Sequence, residues 1–174
     1  MENEVLECIR SRRSIRRYKK EQIQDDELNK VLEAGTWAPT AKGQQLPFIV
    51  AVQKPELVAR LVKMNAEIMG VAGNPYYDAP TIVLVFAPIE YGKGLQDGSC
   101  ILENMMLAAH AIGLGSCWIN REIEMFGTEE GKQLMKEMGL PDGLMGIGAL
   151  SLGYPAAYPP SVKARKQDYC RIIR

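Results

Sequence analysis

The stretch richest in reactive side chains is the basic run RSRRSIRRYKK at residues 10–20. Seven of its eleven positions are Arg or Lys, a third of the 21 basic residues in the chain. In an extended segment alternate residues face one side, so Arg12, Ser14 and Arg16 would converge on one ligand. Because guanidinium groups bind phosphate bidentately and a hydroxyl can add a further bond, the pattern is typical of a phosphate site. A solvated surface or a nucleic-acid patch would explain the same composition, and these residues alone leave the alternatives open.

Two further stretches contain small residues and glycine, which let a backbone approach a flat ligand closely. The first, APTAKGQQLPF at residues 38–48, also carries Gln45, whose amide can bond to a heteroaromatic edge. The second, GLGSCWIN at residues 113–120, follows the most apolar helical run. Each has a plainer explanation, since the first would serve as a helix-to-strand connection and Trp118 as a core residue. Composition leaves both explanations open.

The chain has few histidine and cysteine residues that could form a metal site or a catalytic triad. Its four cysteines are far apart without a CxxC pair, and His110 is its one histidine. Zinc sites need closely spaced ligands, and a Ser–His–Asp triad would have to use His110, so neither is favoured. If the chain is an enzyme, this scarcity indicates that a cofactor brings the reactive atoms.

Segments of helical and strand periodicity alternate along the chain and would position these residues. The helix from Cys100, with Asp97 or Ser99 as its cap, is apolar nearly all round, so it must be buried in the domain or against another subunit. The mixture predicts an α+β or α/β sandwich forming a single domain over residues 1–174, with a loop-like tail from about residue 155. Helices are predicted over residues 3–12, 25–39, 54–73, 100–115 and 128–139, and strands over 47–53, 81–88, 116–119 and 143–155.

Composition bounds the function. Hydrophobic residues make up 47% and charged residues 24%, the ordinary globular mixture. Because 21 basic residues are balanced by 21 acidic ones, a general nucleic-acid binder is disfavoured. Acidic residues precede the first apolar run and no apolar stretch reaches the roughly 20 residues of a membrane span, so a cytoplasmic location is the default expectation.

Taken together and in order, these motifs resemble those of the FMN-dependent nitroreductase family, particularly its short members from anaerobic bacteria and archaea. SRRSIRRY is similar to the family's N-terminal flavin-phosphate motif, and APTAKGQQLPF to its APSxxNxQPW region. NPYYDAPTIVLVFA resembles the strand that follows, and DGSCILENMMLAAHAIGLGSCWI the central helix and its exit. LGYP followed by KARK resembles the C-terminal end. The resemblance covers nearly the whole chain.

The resemblance implies an FMN site assembled from four places in the chain. The basic run would hold the phosphate and the ribityl chain or the polar edge of the ring. Residues 39–41 would line the isoalloxazine with Gln45 at its rim, residues 117–120 would offer backbone contacts at the other edge, and the KARK segment would close over the phosphate. The flavin carries the chemistry, so no catalytic side chain is implied. The implied cofactor-binding residues are Arg12, Arg13, Ser14, Arg16, Pro39, Thr40, Ala41, Gln45, Cys117, Trp118, Ile119, Asn120, Lys163 and Arg165.

For the whole protein the resemblance implies an α+β sandwich with a central, mostly antiparallel sheet flanked by helices. It also implies an intertwined homodimer with FMN at the subunit interface, the tail reaching the partner. The implied activity is ping-pong transfer of a hydride from NADH or NADPH through FMN N5 to a small acceptor such as a nitroaromatic, quinone or flavin. Neither a nucleic acid nor a membrane is an expected partner. The alternative is a non-catalytic FMN-binding protein that a protein donor reduces.

Two departures from the family pattern affect the site. Gly43 stands where the family often has Asn, and Leu46–Pro47–Phe48 replaces its usual Pro–Trp. The contact of that asparagine would therefore be lost or made by a neighbour such as Gln44. The chain is also shorter than most members, so the resemblance implies a more open substrate site.

Overall fold

The computed structural model describes residues 3–159 and 161–174. Met1, Glu2 and Pro160, which the single-domain prediction also covers, lie outside the described residues. The centre of the fold is a four-stranded sheet in the order β1-β2-β4-β3, with every neighbouring pair antiparallel. The predicted central antiparallel sheet is therefore confirmed. Its strands are β1 (Phe48–Val52), β2 (Thr81–Pro88), β3 (Gly115–Ile119) and β4 (Leu144–Gly153).

Helices cover both faces of this sheet, as the apolar run of β2 predicts. On one face Val83 and Val85 pack against the long fourth helix, while on the other Leu84 and Phe86 pack against the third, fifth and sixth. The ring of Phe86 meets that of Phe126 edge-on at a centroid distance of 4.7 Å. The helices are α1 (Glu4–Ser11), α2 (Asp25–Thr36), α3 (Pro55–Met69), α4 (Gly94–Ala111), α5 (Glu122–Gly127) and α6 (Glu129–Glu137).

The start of α4 was predicted incorrectly. The helix begins at Gly94 after Lys93, so Asp97 lies within its first turn and does not cap it. Packing explains the longer helix, because a Cβ on Gly94 would lie 2.7 Å from Ala87 and one on Gly98 would lie 2.7 Å from Ile147. These glycines let the helix rest directly on the sheet, and this contact outweighs their poor helix propensity.

Helix α5 was not predicted at all, because six residues are too few to establish a helical period. Its position depends on β4, where a Cβ on Gly146 would lie 2.5 Å from the carbonyl oxygen of Glu122. Within the described part of the chain, no helix has the length and apolar character needed to cross a membrane.

Candidate functional site

The basic segment is fixed against the edge of the sheet by Ile15, whose side chain is 2% exposed. The Ile15 N–H donates to the Ser116 carbonyl at 2.9 Å, and Ser14 forms a parallel bridge to Ser116 on β3. The approach requires glycine at position 115, because a Cβ there would lie 2.9 Å from three Ile15 side-chain carbons. One apolar residue thus anchors the run while its arginines stay outside the core.

Hydrogen bonds around Tyr18 hold the other end of the segment. The buried Tyr18 hydroxyl donates to the Ile15 carbonyl at 2.7 Å and lies 3.2 Å from the Ser151 carbonyl, and burial raises its pKa. The Lys19 N–H donates to Tyr154 O and the Ala156 N–H donates to Arg17 O, each at 2.9 Å. Since the backbone and Tyr18 fix the segment, its arginine side chains are available to a ligand.

Two adjacent arginines contain buried nitrogen atoms without a hydrogen-bond acceptor among the described residues. They are Nη1 of Arg12 and Nε of Arg13. The remaining contacts are modest, since Arg12 Nε lies 4.0 Å from Glu103 and Arg13 Nη1 donates to the carbonyls of Arg10 and Arg12. A buried donor left without an acceptor costs about 1–3 kcal/mol, so this pair favours binding of an anion.

The basic run passes close to Cys117 on β3, because Ser14 pairs with the neighbouring Ser116. Burial raises the pKa of the Cys117 thiol, while Arg16, a hydrogen bond from Ser14, and Arg12 act in the opposite direction. Ser14 and Arg16 line one cavity, whereas Arg12 is not among the residues that line it, so the convergence of all three on one ligand stays a prediction. Because its pKa stays above the ordinary value, the thiol is protonated at neutral pH. The guanidinium of Arg16 also lies 5.7 Å from the ring centre of Tyr77.

Two of the cavities that adjoin the run are also lined by the C-terminal tail. One of about 500 Å³ is lined by Ser14, Arg16 and Arg17 together with residues 157–159. The other, of about 470 Å³, brings Arg13 together with tail residues of the KARK segment, including two of the predicted phosphate contacts. Its lining residues are Ile9, Arg10, Arg13, Val162, Lys163, Ala164 and Arg165.

The second candidate segment, residues 38–48, folds into a tight turn with three left-handed residues. Their φ angles are 57° at Lys42, 63° at Gly43 and 51° at Gln45. Thr40 closes the turn, accepting from Gly43 N at 2.9 Å through its carbonyl and from Gln45 N at 3.1 Å through its hydroxyl. A Cβ at Gly43 would have no neighbour within 4 Å, so the asparagine of the family pattern would fit there.

This turn lines a third cavity, of about 310 Å³, between α2, α4 and the start of β1. Thr40 and Gln45 both contribute to it, with Gly35, Ala38 and Ile101 among their neighbours. The other predicted residues of the turn are placed differently. Pro39 is exposed, and the N–H of Ala41 points inward to Asp97, which makes it unavailable to a ligand.

The third segment lies along β3, the edge strand of the sheet. Ser116 turns its carbonyl toward the basic segment, so by alternation Trp118 presents its backbone groups at the same open edge. Cys117 and Ile119 are buried in the core on the α3 face. Asn120 follows the strand, and its carbonyl accepts a hydrogen bond from Asn65 Nδ2 at 3.0 Å. The geometry thus singles out Trp118 among the predicted backbone contacts.

The single histidine is no general base for a serine. His110 Nε2 lies 2.8 Å from Ser11 Oγ, but that hydroxyl donates its own proton to the Glu7 carbonyl at 2.7 Å. A hydroxyl has one proton, so while Ser11 bonds to the Glu7 carbonyl it does not present that proton to the imidazole. Burial, followed by the charges of Arg12 and Arg13, lowers the pKa of His110. Sequence patterns could not reveal this pair, because its members are 99 positions apart.

Fold and site together define a class: an α+β protein with an arginine-rich segment along the open edge of its antiparallel sheet. Residues 9–154 match the nitroreductase family. A protein of Archaeoglobus fulgidus, named provisionally as an NADH dehydrogenase/NAD(P)H nitroreductase, is 32% identical over 156 residues, 87% of this chain and 86% of that protein. The chain therefore belongs to the nitroreductase family.

Solved structures agree with this assignment. A nitroreductase from Bacteroides fragilis with bound FMN is 32% identical to this chain and superposes on it with a TM-score of 0.90. The superposition covers 99% of this chain and 100% of the Bacteroides fragilis chain. Among the relatives, an NADPH-flavin oxidoreductase of Vibrio harveyi is 28% identical over 182 residues, covering 94% of this chain and 70% of that protein.

Proposed function

We propose that this protein is an FMN-dependent oxidoreductase that oxidises NADH or NADPH and reduces a small organic acceptor. One observation carries the proposal: the buried, unpartnered nitrogens of Arg12 and Arg13. A phosphate monoester offers the charge and the acceptor oxygens that these donors lack. The residues therefore fit the phosphate of FMN, and Lys163 and Arg165 share the cavity of Arg13. FMN-bound structures and flavin-reducing relatives within the family support the same cofactor.

The rest of the FMN would be held by the other two segments. Thr40 and Gln45 line a cavity of about 310 Å³ beside apolar side chains, which suits a flat heteroaromatic ring with a polar rim. Trp118 presents backbone groups at the sheet edge, where they can bond to the ring. When bound, FMN supplies hydride and electron transfer, so the protein's task is to hold the ring and leave one face open.

A homodimer with FMN at its interface is part of the proposal. The cavities of the basic run are not lined by Thr40 or Gln45, so one flavin reaching both segments would use residues of two subunits. Apolar side chains are exposed on α1 and along the tail, where a partner would cover them. They are Val5, Leu6, Ile9, Tyr158, Val162, Tyr169, Ile172 and Ile173.

The acceptor is proposed only as a class. Nitroaromatics, quinones and flavins all suit an open flavin face. The resemblance to short family members agrees with an open substrate site. The cytoplasmic location and the single-domain extent over residues 1–174 stay predictions. Neutral overall charge continues to argue against nucleic acid as the partner of the basic run.

Anaerobic reduction by a nicotinamide nucleotide tests the activity directly. NADH or NADPH added to the FMN-loaded protein is expected to bleach the flavin absorption, and a quinone added afterwards should restore it. Bleaching by dithionite but by neither nucleotide would contradict the activity and favour the alternative of an FMN protein reduced by a protein donor. Free FMN at the same concentration is the control for direct reduction.

Substitution of Gly115 by alanine tests whether the basic segment must lie against β3. The added Cβ would lie 2.9 Å from Ile15, so the segment is expected to shift and the FMN affinity to fall about tenfold. A fluorescence titration of apo-protein with FMN measures this effect. Gly127→Ala is the matched control, because its Cβ would meet nothing within 4 Å. Equal FMN affinity in the two variants would contradict the proposed placement of the cofactor.

A further inference from the structure

Asp97 is a buried carboxylate whose bonds go to a single turn and one tyrosine. It is 4% exposed, and no ion pair to it occurs within residues 3–159 and 161–174. Both of its oxygens lie 3.1 Å from the Ala41 N–H, and Oδ2 accepts from the Tyr91 hydroxyl at 2.7 Å. Burying a carboxylate without a cation is costly, so these bonds must compensate for lost hydration.

The two residues hold both ends of the Ala41 backbone. Asp97 accepts its N–H, and the Tyr91 hydroxyl lies 3.4 Å from its carbonyl oxygen. The hydrogen bond from Tyr91 to Asp97 is the main cause that raises the pKa of Tyr91. Asp97 also lies within the first turn of α4, and the electropositive N-terminal end of the helix favours its negative charge. Ala41 is therefore held from two sides by groups of α4 and the loop before it.

The turn that follows Ala41 needs such support. Lys42 and Gln45 adopt left-handed φ angles of 57° and 51°, which cost about 1 kcal/mol or more for residues with a Cβ. Conformations of this kind persist where the surroundings determine them. Thr40 supplies bonds within the turn, and the contact with the buried Asp97, 56 positions away, ties the turn to the core.

We propose that Asp97, oriented by Tyr91, is a positioning residue that fixes the 40–45 turn in the shape that receives the flavin ring. The inference rests on the proposed function, since it assigns this turn to FMN. Asp97 acts through the Ala41 N–H and does not contact the cofactor. A turn set in advance would bind the ring without first losing conformational freedom, which favours affinity.

Three variants separate positioning from general destabilisation. Asp97→Leu removes every acceptor, whereas Asp97→Asn keeps one oxygen for the Ala41 N–H. Tyr91→Phe removes only the orienting hydroxyl and also serves if Asp97→Leu does not fold. Ser99→Ala, on the same helix, is the matched control, because its hydroxyl bonds only to the Leu95 carbonyl.

Two readouts are needed: hydrogen exchange of the Ala41 amide in apo-protein, and FMN affinity by fluorescence. Asp97→Leu is expected to lose amide protection and about tenfold or more in affinity, Tyr91→Phe to lose about threefold, and Asp97→Asn to retain both. Unchanged protection and affinity in Tyr91→Phe and Asp97→Leu would overturn the inference, as would equal losses in Asp97→Asn and Asp97→Leu. Wild-type protein that binds no FMN would instead refute the proposed function, while amide exchange would still report on the turn.

Discussion

Arg12→Ala is expected to weaken FMN binding by about 10- to 100-fold, the effect of losing charge-assisted hydrogen bonds to a phosphate. The fold should survive, because Arg12 closes α1 through its backbone N–H to the Cys8 carbonyl and not through its side chain. The side chain approaches Glu103 at 4.0 Å, and its charge contributes to the lowered pKa of His110. Fluorescence titration of the apo-protein gives the affinity, and circular dichroism checks the fold.

Lys20→Ala is the matched control for this prediction. Lys20 belongs to the same basic run but is exposed, beyond the segment anchored by Ile15. If the run acts only through its total charge, the two variants should lose affinity equally and regain it at low salt. Retention of wild-type affinity by Arg12→Ala would show that the phosphate lies elsewhere.

Glu122→Gln is expected to stabilise the folded protein at pH 8 relative to wild type, and much less at pH 5. Glu122 is 1% exposed, accepts a hydrogen bond from the Tyr76 hydroxyl at 3.0 Å, and has an Oε2 atom without a partner among the described residues. Burial is the main cause that raises the pKa of this carboxyl to about 7. The charged form is thus disfavoured only in the folded state.

The direction of the pH effect follows from the raised pKa. The folded state keeps the Glu122 proton up to about pH 7, whereas the unfolded chain releases it near the ordinary glutamate pKa of 4.5. Wild-type stability therefore falls as pH rises between these values and then levels off. Glutamine has no proton to lose, so the stability advantage of the variant should grow by roughly 2–3 kcal/mol between pH 5 and pH 8. Urea unfolding at both values measures it.

Glu124→Gln, an exposed site on the same helix, provides the comparison. It should show little difference between pH 5 and pH 8, because water screens an exposed charge. An advantage of Glu122→Gln that is equal at the two pH values would contradict the raised pKa.

Local signals in the sequence were enough to predict most of the fold. Helix α3 starts at Pro55 and ends before Gly70, whose φ of 70° is the left-handed cap that glycine favours. The uninterrupted apolar run of β2 predicted a strand covered on both faces. The order of the motifs identified the family, because it reflects the whole chain and not one short pattern.

Long-range packing accounts for what could not be predicted. Glycines at 94 and 98 extend α4 only because the sheet lies directly against them. The contact between Asp97 and Ala41 joins residues 56 positions apart, and no periodicity connects them. Alternation predicted that Arg12, Ser14 and Arg16 share one side, but it could not predict which arginine nitrogens are buried without an acceptor among the described residues, because that depends on the packing around them.

The visible absorption spectrum of the purified protein, with flavin quantified per chain, tests the central claim most directly. After incubation with FMN and removal of the unbound excess, the protein should show flavin bands corresponding to about one FMN per chain. That occupancy follows from the proposal that each chain provides one arginine-rich phosphate site. A folded protein that stays colourless under these conditions would contradict the account.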